Sequence, residues 1–310
     1  MSISIAVSSD RNFITCTSVT IASILHYHPD DIHVYLLHEK LTAEDWRPME
    51  QTISKLGRNC TFTPVPVGQY NWEGFPTGRN YPLATYYRLN LPALLPNVDK
   101  VIYLDGDIVM TDDIQKVWDL DMKDYSLAAI SIRSVHSVYP ELVGKHTFNA
   151  GFLVMNLKRI RETGALVNIK RVASLYKNKL KLFDQDILNL VFCDETLHLP
   201  LRWNLTTGAL KREDETYGTI PEEELCEAIR HPAVIHFTTS AKPWKLKAQI
   251  RHPFSSLYTY FAKLAQTPWS FRFVLFLKFT LKLNRRFRYS SWSQEHLTEI
   301  QQTIMLLTQK

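Results

Sequence analysis

Asp105 and Asp107 stand two residues apart in "VIYLDGDIVM", at the end of an apolar run and with only Gly106 between them. On an extended chain, side chains two apart share one side at a spacing of about 6.5 Å, so both carboxylates can aim at a single point. Two such charges repel unless a proton or a cation lies between them. Hard oxygen ligands of this kind suit Mg²⁺ or Mn²⁺, with phosphate oxygens completing the shell. Gly106, lacking a side chain, lets a ligand approach the backbone closely. An Asp-Gly pair between apolar runs is equally the signal of a tight β-hairpin, and two further Asp-x-Asp triplets occur at 119–121 and 184–186. The triplet by itself leaves both readings open.

Elements around the triplet favour the first. "ISIAVS" (3–8), "IHVYLLH" (32–38) and "CTFTPVPV" (60–67) are β-type runs separated by helical stretches, the second of which, "TAEDWRPMEQTISKLG", has a helix-like start and a glycine stop. This βαβαβ order predicts an α/β, Rossmann-like, mostly parallel sheet with helices on both faces, a design that binds ligands at the carboxyl ends of its strands. "KVIYL", apolar on both faces as a central strand should be, ends at Asp105. Before it, Leu83, Tyr87, Leu91 and Leu94 fall at helical spacing and leave Arg88 on another face, a cation near the start of that strand. "FNAGFLVMNL" (148–157) reads as a further central strand with a polar start at Asn149. "DQDILNLVF" reads as a helix N-terminus with Asp184 suited to capping. "AVIHF" (233–237) is a last short strand that carries His236, and a histidine so placed is otherwise a hydrogen-bonded core residue.

The chain of 310 residues is long enough for a substantial core. A hydrophobic share of 45% and a charged share of 22% are ordinary for a globular protein. Its four cysteines, Cys16, Cys60, Cys193 and Cys226, form no C-x-x-C pair and read as scattered thiols. Neither a secretory signal nor a run of about 18 apolar residues is visible, which predicts a cytoplasmic protein that spans no bilayer. Of the 36 Lys and Arg, 11 fall between Lys242 and Arg288, where there is no Asp or Glu. That asymmetry suggests anionic partners, although no nucleic-acid motif accompanies it. Within this block "WSFRFVLFLKFTLKLNRRFR" (269–288) predicts a basic, aromatic helix, either packed on the domain or lying on an anionic membrane surface. The expected organisation is a catalytic domain over 1–250 and a basic helical extension over 251–310.

In this order and spacing, "YLDGDIV", "FNAGFLVMNL", "DQDILN" and "IHFTTSAKPW" resemble the retaining glycosyltransferases of family 8, relatives of glycogenin and of the bacterial lipopolysaccharide galactosyl- and glucosyltransferases. The resemblance covers about residues 1–250, and "TPW" at 267–269 is similar to the tail of the lipopolysaccharide members. It implies an A-type glycosyltransferase fold and a UDP-sugar donor whose diphosphate is bridged by Mn²⁺, or Mg²⁺, on Asp105, Asp107 and His236. By the same resemblance Lys242 and Thr239 lie at phosphate, Ser8, Asp10 and Asn12 at uracil and ribose, and Arg88, Asn149 and Asp184 at the sugar hydroxyls. From the residues alone, Ser8, Asp10 and Asn12 could be a capped turn, Arg88 a surface ion pair, Asn149 a turn and Lys242 the first charge of the basic block. Two departures bear on donor choice: Thr239 stands where many relatives have glycine, and "AISIRS" around Ile132 lacks an aspartate.

The resemblance implies transfer of galactose or glucose to a saccharide or glycolipid acceptor, such as a lipopolysaccharide core or another surface glycan, peripheral to the cytoplasmic face of the inner membrane. Stabilisation of the departing diphosphate by the metal, Lys242 and His236 is the expected main catalytic effect. Gln185, a poor nucleophile, favours attack from the leaving-group face, with Gln185 stabilising the developing positive charge. A phosphotransferase of the haloacid dehalogenase type also carries Asp-x-Asp after an apolar strand, but on its first strand. A non-catalytic nucleotide-sugar-binding protein is the third reading.

Overall fold

The strand that opens the chain, β1 (Ile3–Ser8), alternates its side chains between two apolar layers: Ile3, Ile5 and Val7 join one core cluster and Ala6 the other. The period of two, buried on both sides, is what a strand between two helical layers requires. The computed structural model describes residues 2–68, 72–78, 82–133, 139–211, 220–238, 242–245, 252–280 and 297–308. Within them, β1 pairs in parallel with β2 (Ile32–His38) and with β4 (Lys100–Leu104), and β2 with β3 (Thr61–Pro66). Beyond β4 the sheet changes sense. β8 (Phe152–Asn156) runs antiparallel to β4 and to β6 (Leu127–Arg133), while β7 (His146–Phe148) is antiparallel and β9 (Thr196–Leu199) parallel to β6. The strand order is β3-β2-β1-β4-β8-β6-β7, so "KVIYL" is central, as its composition predicts.

Helices cover both faces. Against Ile102 and Leu104 of β4 lie α1 (Ile14–Tyr27), α2 (Ala43–Leu56) and α6 (Glu222–Arg230). Against Val101 and Tyr103 lie α3 (Leu157–Glu162), α4 (Ala165–Tyr176) and α5 (Asp184–Phe192). Local chemistry sets several of these ends. At α2, Thr42 and Asp45 form a reciprocal capping box, and Gly57 closes the helix. The C-terminal helices α7 (Ser255–Leu264), α8 (Trp269–Thr280) and α9 (Leu297–Thr308) follow, and Phe254, Leu257, Tyr258 and Phe261 join the first core cluster beside α1. Of the basic segment, 269–280 is helical as expected, and 281–288 lies outside the described residues. Among the described residues, no helix is long and apolar enough to cross a membrane.

The alternative hairpin reading falls, and two expectations need correction. Asp-Gly at 105–106 is no hairpin tip: the chain turns there out of β4 into β5 (Ile108–Met110), which belongs to a separate three-stranded sheet whose order is β10 (Leu205–Thr206), β11 (Val234–His236), β5. Residues 83–94 are not one α-helix but a 3-10 helix over Leu83–Asn90 followed by a single turn. The run 148–157 is broken at Asn149–Gly151, between β7 and β8.

Candidate functional site

The second small sheet is what completes the site. β11 (Val234–His236) pairs antiparallel with β5, with His236 opposite Ile108, and the Phe237 N–H donates to the Asp107 carbonyl at 3.0 Å. An imidazole 129 residues away in sequence is thereby fixed beside the turn at the end of β4. His236 Nε2 stands 3.1 Å from Asp107 Oδ1 and 3.7 Å from Asp105 Oδ2. One donor atom from each of the three residues lies within 4.8 Å of the other two, and the set of two carboxylates and one imidazole suits a divalent cation. The convergence arises from a turn, not from an extended strand as the spacing suggested.

Two glycines make room for it. A Cβ at Gly151 would lie 2.1 Å from His236 Cε1 and 2.9 Å from Asp105 Oδ2. The ring is 3% exposed and cannot retract, so glycine is required there. At Gly106 the reason differs from the expected one: a Cβ would lie 2.4 Å from Thr17 Oγ1 and 3.0 Å from the Phe13 ring. Close packing of α1 on the turn demands that glycine, though Gly106 also lines the cleft.

The cleft, a cavity of about 180 Å³ open to solvent, lies at the carboxyl ends of β1 and β4. Ser8, Asp10, Arg88, Asp105, Gly106, Asp107, Asn149, Asp184, Gln185, His236 and Lys242 all line it. Asn12 does not: it is exposed, and its backbone N–H donates to Asp10 Oδ1 at 2.9 Å. Asp10 also accepts from the Phe13 N–H, so it serves as the cap of the turn while facing the cleft. Thr239 lies outside the described residues, next to Thr238, which lines the cleft. Sequence reasoning missed Tyr103, Gly151, Asn204 and Thr238. A buried asparagine inside the apolar stretch "LPLRWNL" was the available signal for Asn204.

Charge is tightly compensated on both walls. On one, Lys242 Nζ bonds Asp107 Oδ2 and the Phe237 carbonyl. Burial opposes ionisation of Asp107, but Lys242 and His236 outweigh it and hold the carboxyl well below the usual range. On the other wall, Arg88 is buried against the Tyr103 ring, 4.2 Å from its centroid. It donates to Asp105 Oδ1 at 2.7 Å, to Thr85 O at 3.1 Å and to the Ala150 carbonyl. The expectation of a cation near the start of β4 is corrected: the 3-10 geometry of 83–90 turns Arg88 inward, to the strand's exit.

Asp184 is not the cap of α5 but its first helical residue. The cap position is Phe183, whose φ of +57° is a left-handed value that a phenylalanine adopts only when its surroundings impose it. Asp186 supplies part of that constraint, since its Oδ2 accepts from the Lys181 and Leu182 N–H groups, both at 2.7 Å, and from Tyr139 Oη at 2.8 Å. Asp184 Oδ2 lies 3.0 Å from Arg88 Nε without hydrogen-bond alignment, because Nε is directed at Thr85 O. Burial, against the pull of Arg88 and with the help of Asp105, raises the Asp184 carboxyl to about 7.

A pH-dependent stability follows. The native state keeps the Asp184 proton to about pH 7, whereas the unfolded chain releases it near 3.8. Between those values the native state binds more protons, so stability is full below about pH 4 and falls as pH rises through 7. Asp184→Asn is expected to remove this slope and to stabilise the ligand-free protein at pH 8 by on the order of 2–4 kcal/mol, with little change at pH 4. Urea unfolding at both pH values checks it, and equal slopes in the two proteins would contradict it.

The chain is similar to known proteins. The family profile described as Glycosyl transferase family 8 matches residues 4–248. General stress protein A of Bacillus subtilis is 26% identical over 248 residues, 77% of this chain and 84% of that protein. The glycosyltransferase GlyF of Streptococcus pneumoniae is 27% identical over 243 residues, 78% of this chain but only 57% of GlyF. The lipopolysaccharide 1,3-galactosyltransferase of Salmonella typhimurium is 25% identical over 257 residues, 77% of this chain and 72% of that enzyme. Among solved structures, the galactosyltransferase LgtC in complex with donor and acceptor sugar analogs superposes with a TM-score of 0.72 at 25% identity, covering 88% of this chain and all of LgtC. With a mixed sheet flanked by helices and an Asp-Asp-His cluster at the exit of its fourth strand, the chain belongs to glycosyltransferase family 8.

Proposed function

We propose that the protein transfers a hexose, galactose or glucose, from a UDP-sugar to a saccharide or glycolipid acceptor with retention of configuration, using a divalent ion, Mn²⁺ or Mg²⁺, on Asp105, Asp107 and His236. The observation that carries this reading is one cleft with two unlike walls. Asp105, Asp107, His236 and Lys242 form a wall suited to a cation and a diphosphate, while Arg88, Asn149, Asp184 and Gln185 form a polar wall suited to sugar hydroxyls. Ser8 and Asp10 line the same cleft at the end of β1, which supports assigning uracil and ribose to them.

Cleavage of the bond from the anomeric carbon to phosphate leaves charge on the diphosphate, and a bound divalent ion supplies positive charge there. Lys242, tied to Asp107 in the ligand-free chain, is within the same cleft to exchange that carboxylate for phosphate oxygens. Thr239 adjoins this wall in sequence. Asp184, held as an acid to about pH 7, is a poor nucleophile, and Asp186 is saturated by its own hydrogen bonds. Attack from the leaving-group face, without a glycosylated enzyme, fits both facts. Gln185 Oε1 accepts from Asn149 Nδ2 at 3.2 Å and from the Ala150 N–H at 3.1 Å. These two bonds fix the orientation of its amide at the cleft wall.

The test is a panel of UDP-sugars incubated with the protein and Mn²⁺, with hydrolysis and transfer followed and the product anomer read by NMR. One UDP-hexose turned over with retention is expected; phosphatase activity alone, or turnover with inversion, would contradict the proposal. A haloacid dehalogenase-type reaction is disfavoured because the aspartate pair follows the fourth strand, not the first.

The acceptor is proposed to be a lipopolysaccharide core or similar surface glycan by analogy with the Salmonella relative, with the protein on the cytoplasmic face of the membrane and residues 251–310 as its attachment region. Trp269 and Phe273 on α8 support this: they are 68% and 39% exposed, stack on each other with centroids 4.8 Å apart, and precede the basic run. Anionic phospholipid vesicles are expected to sediment the protein, and the double substitution Trp269→Ser, Phe273→Ser to weaken that binding about tenfold or more, two exposed aromatics being worth on the order of 1.5–3 kcal/mol. Unchanged sedimentation would contradict the attachment.

A further inference from the structure

Four polar side chains form one hydrogen-bonded run, with His236, Asn149 and Gln185 lining the cleft and Asn204 fully buried behind them. His236 Nδ1 lies 2.9 Å from Asn204 Oδ1, Asn204 Nδ2 2.8 Å from Asn149 Oδ1, and Asn149 Nδ2 3.2 Å from Gln185 Oε1. Asn204 is fully buried, on the turn that leads into β10 (Leu205–Thr206), and touches both walls.

The direction of the run follows from chemistry. A side-chain amide has one accepting and one donating end, and backbone N–H groups only donate. The Ala150 N–H points to the oxygen of Gln185, and the Gly151 N–H, 3.0 Å away, to that of Asn149. Both amides are therefore set, with the Asn149 NH₂ toward Gln185. Asn204 must then offer its NH₂ to Asn149 and its oxygen to His236. An oxygen facing Nδ1 requires the proton on Nδ1, so whenever the ring is neutral its lone pair is on Nε2, the atom that faces Asp105 and Asp107.

We propose that Asn204 is a positioning residue which fixes the metal-binding tautomer of His236 and, through Asn149, the orientation of Gln185. One side chain thereby couples the cation wall to the sugar wall. The inference rests on His236 being a cation ligand, and its test separates the two. Second groups that orient a ligating histidine in this way change metal affinity about 10- to 100-fold when removed.

The primary measurement uses the metal-free full chain at pH 8: long-range ¹H–¹⁵N NMR of the histidine rings. Wild type is expected to show His236 protonated on Nδ1, as the neutral Nδ1–H ring or with both nitrogens protonated, and Asn204→Ala to lose the Nδ1 proton in favour of Nε2–H. A neutral Nε2–H ring in wild type, or an unchanged ring in the variant, overturns the proposal whether or not metal binds. With Mn²⁺ alone, followed by the EPR signal of the free ion, Asn204→Ala is expected to bind about 10- to 100-fold more weakly than wild type. Asn204→Asp keeps an acceptor for Nδ1–H but cannot donate to Asn149, so it should bind Mn²⁺ within about threefold of wild type while kcat for transfer falls about tenfold or more. Rescue of binding without rescue of kcat is the outcome a merely structural asparagine would not give, and equal defects in the two variants would overturn the coupling. Wild-type protein that binds no Mn²⁺ would sink the cation reading of His236 and leave the tautomer result to decide the role of Asn204.

Discussion

Asp107→Asn is expected to lower sugar transfer about a thousandfold, and excess Mn²⁺ should not restore it. The substitution keeps the side chain's volume and removes its charge. Asp107 is the carboxylate on which His236 and Lys242 both converge, at 3.1 Å for the imidazole, so one change weakens the cation site and releases Lys242 from its partner. Positive charge at a leaving phosphate contributes several kcal/mol to a transition state, and each 1.36 kcal/mol is a factor of ten. Donor hydrolysis and transfer measured across a Mn²⁺ series, with circular dichroism to confirm the fold, check the expectation. A variant within tenfold of wild type would show that the carboxylate pair is not central to the reaction.

Arg88→Met is expected to have the largest effect on stability, a loss of about 3–5 kcal/mol, the usual consequence of stranding buried charges by removing their partner. Arg88 is 3% exposed and lies between Asp105 and Asp184, with Tyr103 beneath it. Without the guanidinium, the carboxyl groups of Asp105 and Asp184 and two carbonyl oxygens face each other. Arg88→Lys should not restore stability, since an ammonium cannot reach Asp105, Thr85 O and Ala150 O in the fixed fork of a guanidinium. Adding Asp184→Asn to Arg88→Met should recover part of the loss, because the two sites share one network. Urea unfolding with an unchanged m-value checks this; a loss below about 1 kcal/mol would contradict it.

What the sequence made legible is what local periodicity and order encode. The strands "ISIAVS" and "KVIYL", the helix start and glycine stop of "TAEDWRPMEQTISKLG", and the placement of Asp105 at a strand exit all follow from short-range pattern. The clustering of most candidate residues in a single cleft is what the family resemblance implies. Hidden were features that depend on contacts distant in sequence. Gly106 looked like room for a ligand, and only the approach of α1 shows that Thr17 and Phe13 need the space. Asp184 looked like a helix cap, but the positive φ of Phe183 is imposed by Asp186 and Tyr139, 47 residues apart. Helical spacing puts Arg88 near the start of β4, whereas the 3-10 geometry turns it inward to the strand's exit. Asn204 carried no motif at all; its meaning comes from β10 and β11 pairing beside β5, so that a buried amide meets an imidazole.

X-ray diffraction from crystals soaked with Mn²⁺ and UDP, collected with anomalous signal at the manganese edge, addresses the main proposal most directly. One strong peak is expected within about 2.0–2.6 Å of carboxylate oxygens of Asp105 and Asp107 and of His236 Nε2, with diphosphate density against it and Lys242 turned from Asp107 to phosphate. Manganese bound elsewhere, or UDP bound in the cleft with Asp105, Asp107 and His236 unoccupied, would contradict it.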